Sequence, residues 1–165
     1  MAAPLYRPAY IGLGSNLEDP ASQVKRALAQ LARLPATRLI VTSPCYSSVP
    51  LGPIAQPDFV NAVAGVLTEL DSQTLLSGLH AIEAALGRPA RHEKWGPRVI
   101  DLDLLVHGSE HRREPQLTLP HPGILERNFV VYPLADIAPD LEVPGLGRVA
   151  DLKRRVGSEG LHLLT

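Results

Sequence analysis

Apolar positions recur along this chain with two different periods. Residues 9–13 (AYIGL) form a short apolar strand. Asp19 and Pro20 then supply an N-cap and a first helical residue, and Val24, Leu28 and Leu31 share one face of a helix that runs to about Leu34 and stops at Pro35. Residues 38–47 (RLIVTSPCYS) are rich in β-formers but contain Pro44, which predicts an edge strand or a bulge. The stretch SVPLGPIAQPDF, residues 48–59, is dense in proline and must be a loop. A strand from Phe59 to Leu67 puts Phe59, Asn61 and Val63 on one face and Val60, Ala62 and Ala64 on the other. Asp71 and Ser72 cap a helix whose Leu75, Leu79, Ile82 and Leu86 recur at helical spacing, and Gly87 stands where a C′ glycine belongs. GPRVIDLDLLVHG, residues 96–108, is the next strand. The order β, α, β, β, α, β predicts an α+β, ferredoxin-like sandwich: an antiparallel sheet with helices on one face and a ligand site on the other. A C-terminal extension follows, with a turn, a short helix near Leu134 to Ile137 and a last helix over RVADLKRRV.

The last strand breaks its own pattern. Alternation places Val99, Asp101, Asp103 and Leu105 on one face and Ile100, Leu102, Leu104 and Val106 on the other. The second set is wholly apolar. The first contains two carboxylates whose Cα atoms lie about 7 Å apart, close enough to oppose one another's ionisation unless a cation attends them. From the strand alone two readings stand open, an ion-pair network on a solvated face or a divalent metal site. An oxygen donor set without clustered Cys or His suits Mg²⁺, which takes one or two protein carboxylates together with substrate phosphates. The segment just upstream, GRPARHEKWGPR, brings Arg88, Arg91, His92, Lys94 and Arg98 into one connection. Bases followed at once by a carboxylate pair are what a polyphosphate held through Mg²⁺ requires, so the metal reading is favoured.

Composition narrows the partners. The 165 residues are expected to form a single domain, 1–165, and 16 Lys plus Arg against 17 Asp plus Glu leave no global basic field for a long nucleic acid. The single cysteine, Cys45, excludes a disulfide scaffold and a Cys zinc site, and is expected to be a small buried thiol in a reducing compartment. No apolar run approaches the ~18 residues of a membrane span, and the N-terminus lacks the form of a signal peptide, so a soluble, cytoplasmic protein is expected.

Other motifs add chemistry. GLGSNL begins like a dinucleotide fingerprint but has Leu17 where the third glycine should be, and no P-loop exists elsewhere; its glycines are expected to let backbone approach something closely. His121, in LPHPG, sits in a rigid turn, either structural or placed to donate to a polyphosphate. Asn61 beside Phe59 suits either an ordinary sheet or recognition of a flat heterocycle by hydrogen bonding and stacking. Trp95, the only tryptophan, lies in the basic loop, where stacking on a ligand explains it better than burial does.

Taken together, YIGLGSNL, PLGPIAQPDFVNAV, LGRPARHEKWGPRVIDLDLL and LPHPGILERNFVVYPLADIAP resemble the 6-hydroxymethyl-7,8-dihydropterin pyrophosphokinase family of folate biosynthesis, over most of residues 9–140. The resemblance implies a transferase that moves the β,γ-diphosphate of ATP onto the pterin hydroxymethyl group and releases AMP. It implies two Mg²⁺ ions on Asp101 and Asp103. It places catalytic phosphate contacts on Arg88 and Arg98, and further ATP contacts on Arg91, Lys94, Trp95, Leu104, Thr118, His121 and Arg127. The pterin would lie between Phe59 and Phe129, addressed by Asn61 and by backbone at Ser48 and Leu51, with Trp95 and Arg98 closing over it. Gly123 and Gln116 stand where the family often has bases, and His80 where an amide assists the nucleotide. ATP and the pterin are thus the expected partners of a monomer. Three rivals remain: a different Mg-dependent kinase or nucleotidyl transferase, a metabolite-sensing module and a single-stranded RNA binder. The last two do not need the acidic pair.

Overall fold

The computed structural model describes residues 5–87 and 99–164; Arg88, Arg91, Lys94, Trp95 and Arg98 lie outside them. The elements that build the main layers are β1 (Arg7–Ser15), α1 (Pro20–Leu31), β2 (Thr37–Thr42), β3 (Tyr46–Ser48), β4 (Phe59–Thr68), α2 (Ser72–Ala85) and β5 (Asp101–His107). Beyond them come a hairpin of β6 (Arg112–Glu114) and β7 (Leu117–Leu119), α3 (Asn128–Ile137), a ribbon of β8 (Glu142–Val143) and β9 (Gly147–Arg148), α4 (Val149–Val156) and β10 (Leu161–Leu163).

In the main sheet β5 pairs with β1 and β1 with β4, while β2 and β3 share the far edge of β4 and β10 lies outside β3; every pairing is antiparallel. Taken as one strand broken at Pro44, β2 and β3 complete the ferredoxin-like order. Pro44 has no N–H to give the ladder. Ser43 bridges the break instead: its N–H donates to the Val63 carbonyl and its Oγ accepts from the Val63 N–H, both at 2.9 Å.

The helices α1 and α2 cover one face, where Val24, Ala27 and Leu31 meet Leu75 and Leu79 over Ile11, Leu13, Ala62, Ala64, Leu102 and Leu104. Each such Leu or Ile contributes about 1.5–3 kcal/mol by leaving water. A second core on the opposite face joins Val63 and Leu105 to Val130, Val131 and Leu134 of α3 and to Val149 and Leu152 of α4. The C-terminal extension therefore covers one part of that face, and the first of the two clefts described below opens beside it.

Several local expectations are corrected. Strict alternation along β5 fails at Leu105, an extra residue: Tyr10 pairs Val106 while Ile11 pairs Leu104. The bulge turns Val106 into the second core beside Leu105 and leaves His107 buried, its Nε2–H donating to the Leu70 carbonyl at 2.9 Å. Asp19 does not cap α1 through its side chain; its backbone is left-handed (φ 61°), and its carboxylate accepts from the Ser22 hydroxyl instead. The helix itself ends at Leu31. The third helix starts at Asn128, well before Leu134, because Pro133 in its second turn removes only one backbone bond while Val130, Val131 and Leu134 gain burial. Cys45 is half-buried. The short strands β6 to β10 carry too few residues to show a period.

Candidate active site

Two clefts open on the sheet and meet at Asp101 and Asp103, which line both. The first is walled by Ser48 and Leu51 of the proline-rich loop, Phe59 and Asn61 of β4, and Arg127 and Phe129 at the start of α3. The second lies between α2 and the β6–β7 hairpin, and Leu104, Thr118 and His121 border it with His80, Glu83 and Gln116.

The floor of the first cleft follows from strand register. Gly14 of β1 pairs with Asn61 on one side and Asp101 on the other; Gly12 pairs with Val63 and Asp103. The sheet thus carries a cross-strand row, Asn61, Gly14, Asp101, with no side chain standing between amide and carboxylate. Two strand spacings make that row about 10 Å long. A β-carbon on Gly14 would lie 2.9 Å from Asn61 Nδ2, so glycine there is a condition of the amide's position. The Ser48 hydroxyl donates to Asn61 Oδ1 at 2.5 Å, which turns Nδ2 toward Gly14. Asn16 ties down the loop: its Nδ2 donates to Gln56 Oε1 and to the Pro57 carbonyl, each at 2.9 Å. The motif GLGSN therefore supplies an open floor and a loop anchor.

Where the clefts meet, Asp103 gathers cationic and donor groups. Arg127 reaches its Oδ2 at 3.4 Å, and His121 Nε2 lies 3.9 Å from its Oδ1. His121 Nδ1 accepts the Gly123 N–H at 3.0 Å, so the ring proton sits on Nε2. Burial and then the Arg127 charge push the His121 pKa down to about 4, with Asp101 opposing, and the ring is a neutral donor at pH 7. The Arg127 guanidinium also lies 6.0 Å from the centre of the Phe129 ring.

Sequence reasoning missed Glu83. Buried on α2, it accepts the Leu102 N–H at 2.8 Å and so holds the backbone between the two aspartates. A glutamate beside Ile82 on the buried side of a helix was the available signal. It also missed Asn16, whose partners lie forty residues away in a segment without secondary structure. Leu104 borders the second cleft while its side chain packs in the helix-side core. Thr118 donates to the Glu114 carbonyl at 3.3 Å, and Gln116 to the Glu114 carboxylate at 3.1 Å. Of the expected site residues, eight line the first cleft (Ser48, Leu51, Phe59, Asn61, Asp101, Asp103, Arg127, Phe129), and Leu104, Thr118 and His121 line the second. The five in the basic loop lie outside the described residues.

Among the described residues no three His, Cys, Asp or Glu side chains cluster as a metal cage. Also among them, no helix is long and apolar enough to cross a membrane. Fold and site together define a ferredoxin-like α+β domain with two clefts side by side against a shared carboxylate pair. Residues 10–139 match the family model for 7,8-dihydro-6-hydroxymethylpterin-pyrophosphokinase, and the chain belongs to that family. It is 46% identical, over 94% of its length and 95% of the relative's, to the 2-amino-4-hydroxy-6-hydroxymethyldihydropteridine pyrophosphokinase of Pseudomonas aeruginosa. With the enzyme of the same name from Haemophilus influenzae the identity is 45%, over 89% and 91%. The fold matches a crystal structure of Plasmodium falciparum HPPK-DHPS with pteroate at a TM-score of 0.72 and 14% identity, covering 94% of this chain and 43% of that one.

Proposed function

We propose that the first cleft receives 6-hydroxymethyl-7,8-dihydropterin and the second ATP. The protein is a pyrophosphokinase of folate biosynthesis: the pterin hydroxyl attacks the β-phosphorus of ATP, the bond to the α-phosphate oxygen breaks, and AMP leaves. What supports this division is the Asn61, Gly14, Asp101 row. It has the length of a bicyclic pterin with its hydroxymethyl arm, polar recognition at one end and a carboxylate at the other.

On this reading Phe59 and Phe129 flank the ring, and Asn61 and the backbone near Ser48 and Leu51 meet its polar edge. His121 donates from Nε2 to the triphosphate and Arg127 neutralises it, joined by Arg88, Arg91, Lys94 and Arg98. Trp95 and Arg98 close over the pterin. Asp101 and Asp103, oxygen donors set side by side, suit two Mg²⁺ ions. When bound, those ions neutralise triphosphate charge and lower the pKa of the hydroxyl. The contribution of the protein's own side chains on this reading is alignment and charge compensation. The setting is a monomer in the cytoplasm, acting as one domain.

Incubation with ATP, Mg²⁺ and the pterin should yield AMP and the pterin diphosphate in equal amounts. ADP, or a nucleotide adduct of the pterin, would overturn the reading.

A further inference from the structure

We infer that residues 157–163 brace the first cleft from behind, and that Asn128 is the positioning residue joining this brace to the Phe129 wall. The inference rests on the preceding assignment of the pterin to that cleft. A ring held between Phe59 and Phe129 needs the gap between them fixed, and the two belong to different layers. Phe59 lies on β4, where it pairs with Ser48 of β3. Phe129 lies in the first turn of α3. Behind the first cleft the two layers part: a further cleft has Pro50 and Leu51 on one side and Leu125 and Phe129 on the other, and Glu159 and Gly160 line it too.

Hydrogen bonds of the turn after α4 join the two sides. Gly157 ends α4 and Gly160 precedes β10, both at positive φ (66° and 73°), so the chain turns sharply back toward β3. On the sheet side the Gly160 carbonyl accepts the Val49 N–H at 3.3 Å, and Leu161 pairs with Ser48, the residue that orients Asn61. On the helix side Asn128 Nδ2 donates to the Glu159 carbonyl at 2.8 Å. Consecutive carbonyls of one turn thus take a donor from each wall. A different bond secures the far end of α3, where the Tyr46 hydroxyl donates to Asp136. Between these ties Val130, Val131 and Leu134 pack the helix into the second core. Loss of the Asn128 bond therefore leaves α3 docked and frees the end that carries Phe129.

Asn128→Asp tests this in the full-length protein. It replaces the donor by a carboxylate facing a carbonyl, while an acid at the first helical position favours α3 through the helix dipole. The KM for the pterin at saturating MgATP should rise about threefold to tenfold, the usual effect of one hydrogen bond, with kcat and MgATP affinity little changed and the thermal midpoint retained. Asn128→Ala, which removes the donor without adding charge, should raise that KM similarly. Tyr46→Phe, by contrast, cuts the tie remote from Phe129 and should lower the thermal midpoint with the pterin KM unchanged. An unchanged pterin KM in either Asn128 variant, or an equal rise in Tyr46→Phe, would overturn the inference. Were the pterin not in the first cleft, Asn61→Ala would also leave its KM unchanged, so the two failures read differently.

Discussion

The two clefts share a wall but are built differently. The first stands on three neighbouring strands, and its polar groups are set by register and by each other: Asn61 by Ser48, the loop by Asn16, the open floor by Gly12 and Gly14. The second is assembled from α2, a three-residue-strand hairpin and the turn at His121, and its polar residues Thr118 and Gln116 bond mainly to their own hairpin. A rigid heterocycle recognised by its edges needs a preorganised floor, because a small shift of one donor loses the bond. A triphosphate presents many equivalent oxygens and tolerates a looser frame.

The largest expected effect strikes the shared wall. Asp101→Ala and Asp103→Ala should each reduce turnover by orders of magnitude with the thermal midpoint retained, since a charged group and no core volume is lost. Near-normal turnover in either variant would show that the clefts do not work through this pair.

A smaller change should separate the clefts. Asn61→Ala should weaken pterin binding by about 1–3 kcal/mol, the cost of leaving a buried polar edge unpaired, with ATP binding unaltered. Gly14→Ala should act in the same direction with Asn61 still present, since its methyl would meet Nδ2 at 2.9 Å. Calorimetry with each ligand alone checks both, and equal losses for the two ligands would erase the contrast.

The smallest effect concerns stability. With a folded pKa of about 4 against an ordinary 6.5, His121 takes up a proton in the unfolded chain before it does so in the folded one. Stability should therefore fall as pH drops from about 6.5 toward 4, through this group, and be unaffected by it above that range. In the ligand-free protein His121→Gln should give a shallower decline of the urea midpoint between pH 7 and pH 5. An unchanged slope would mean that burial does not hold the ring neutral.

Much of the fold and of the first cleft could be read from short windows. The faces of β4 were legible because a strand's alternation is a property of its covalent geometry, and the apolar stripes of α1 and α2 because successive turns repeat the signal. Asp101 and Asp103 stood out because they violate such a pattern. The β6–β7 hairpin did not, since strands of three residues show no period. Val106 was assigned to the wrong face because a bulge is decided by the partner strand, here at Tyr10 and Ile11, and not by the bulged residues.

What the sequence determined by itself is local: which residues alternate, where prolines end an element, and that a carboxylate pair follows a basic segment. Tertiary structure alone decided the register that sets Asn61, Gly14 and Asp101 in one row, the bond from Glu83 to Leu102, and the bond from Asn128 to Glu159. Each of these joins atoms whose proximity depends on how whole elements pack, and packing is fixed by the summed burial of two cores. No window of the chain contains that sum.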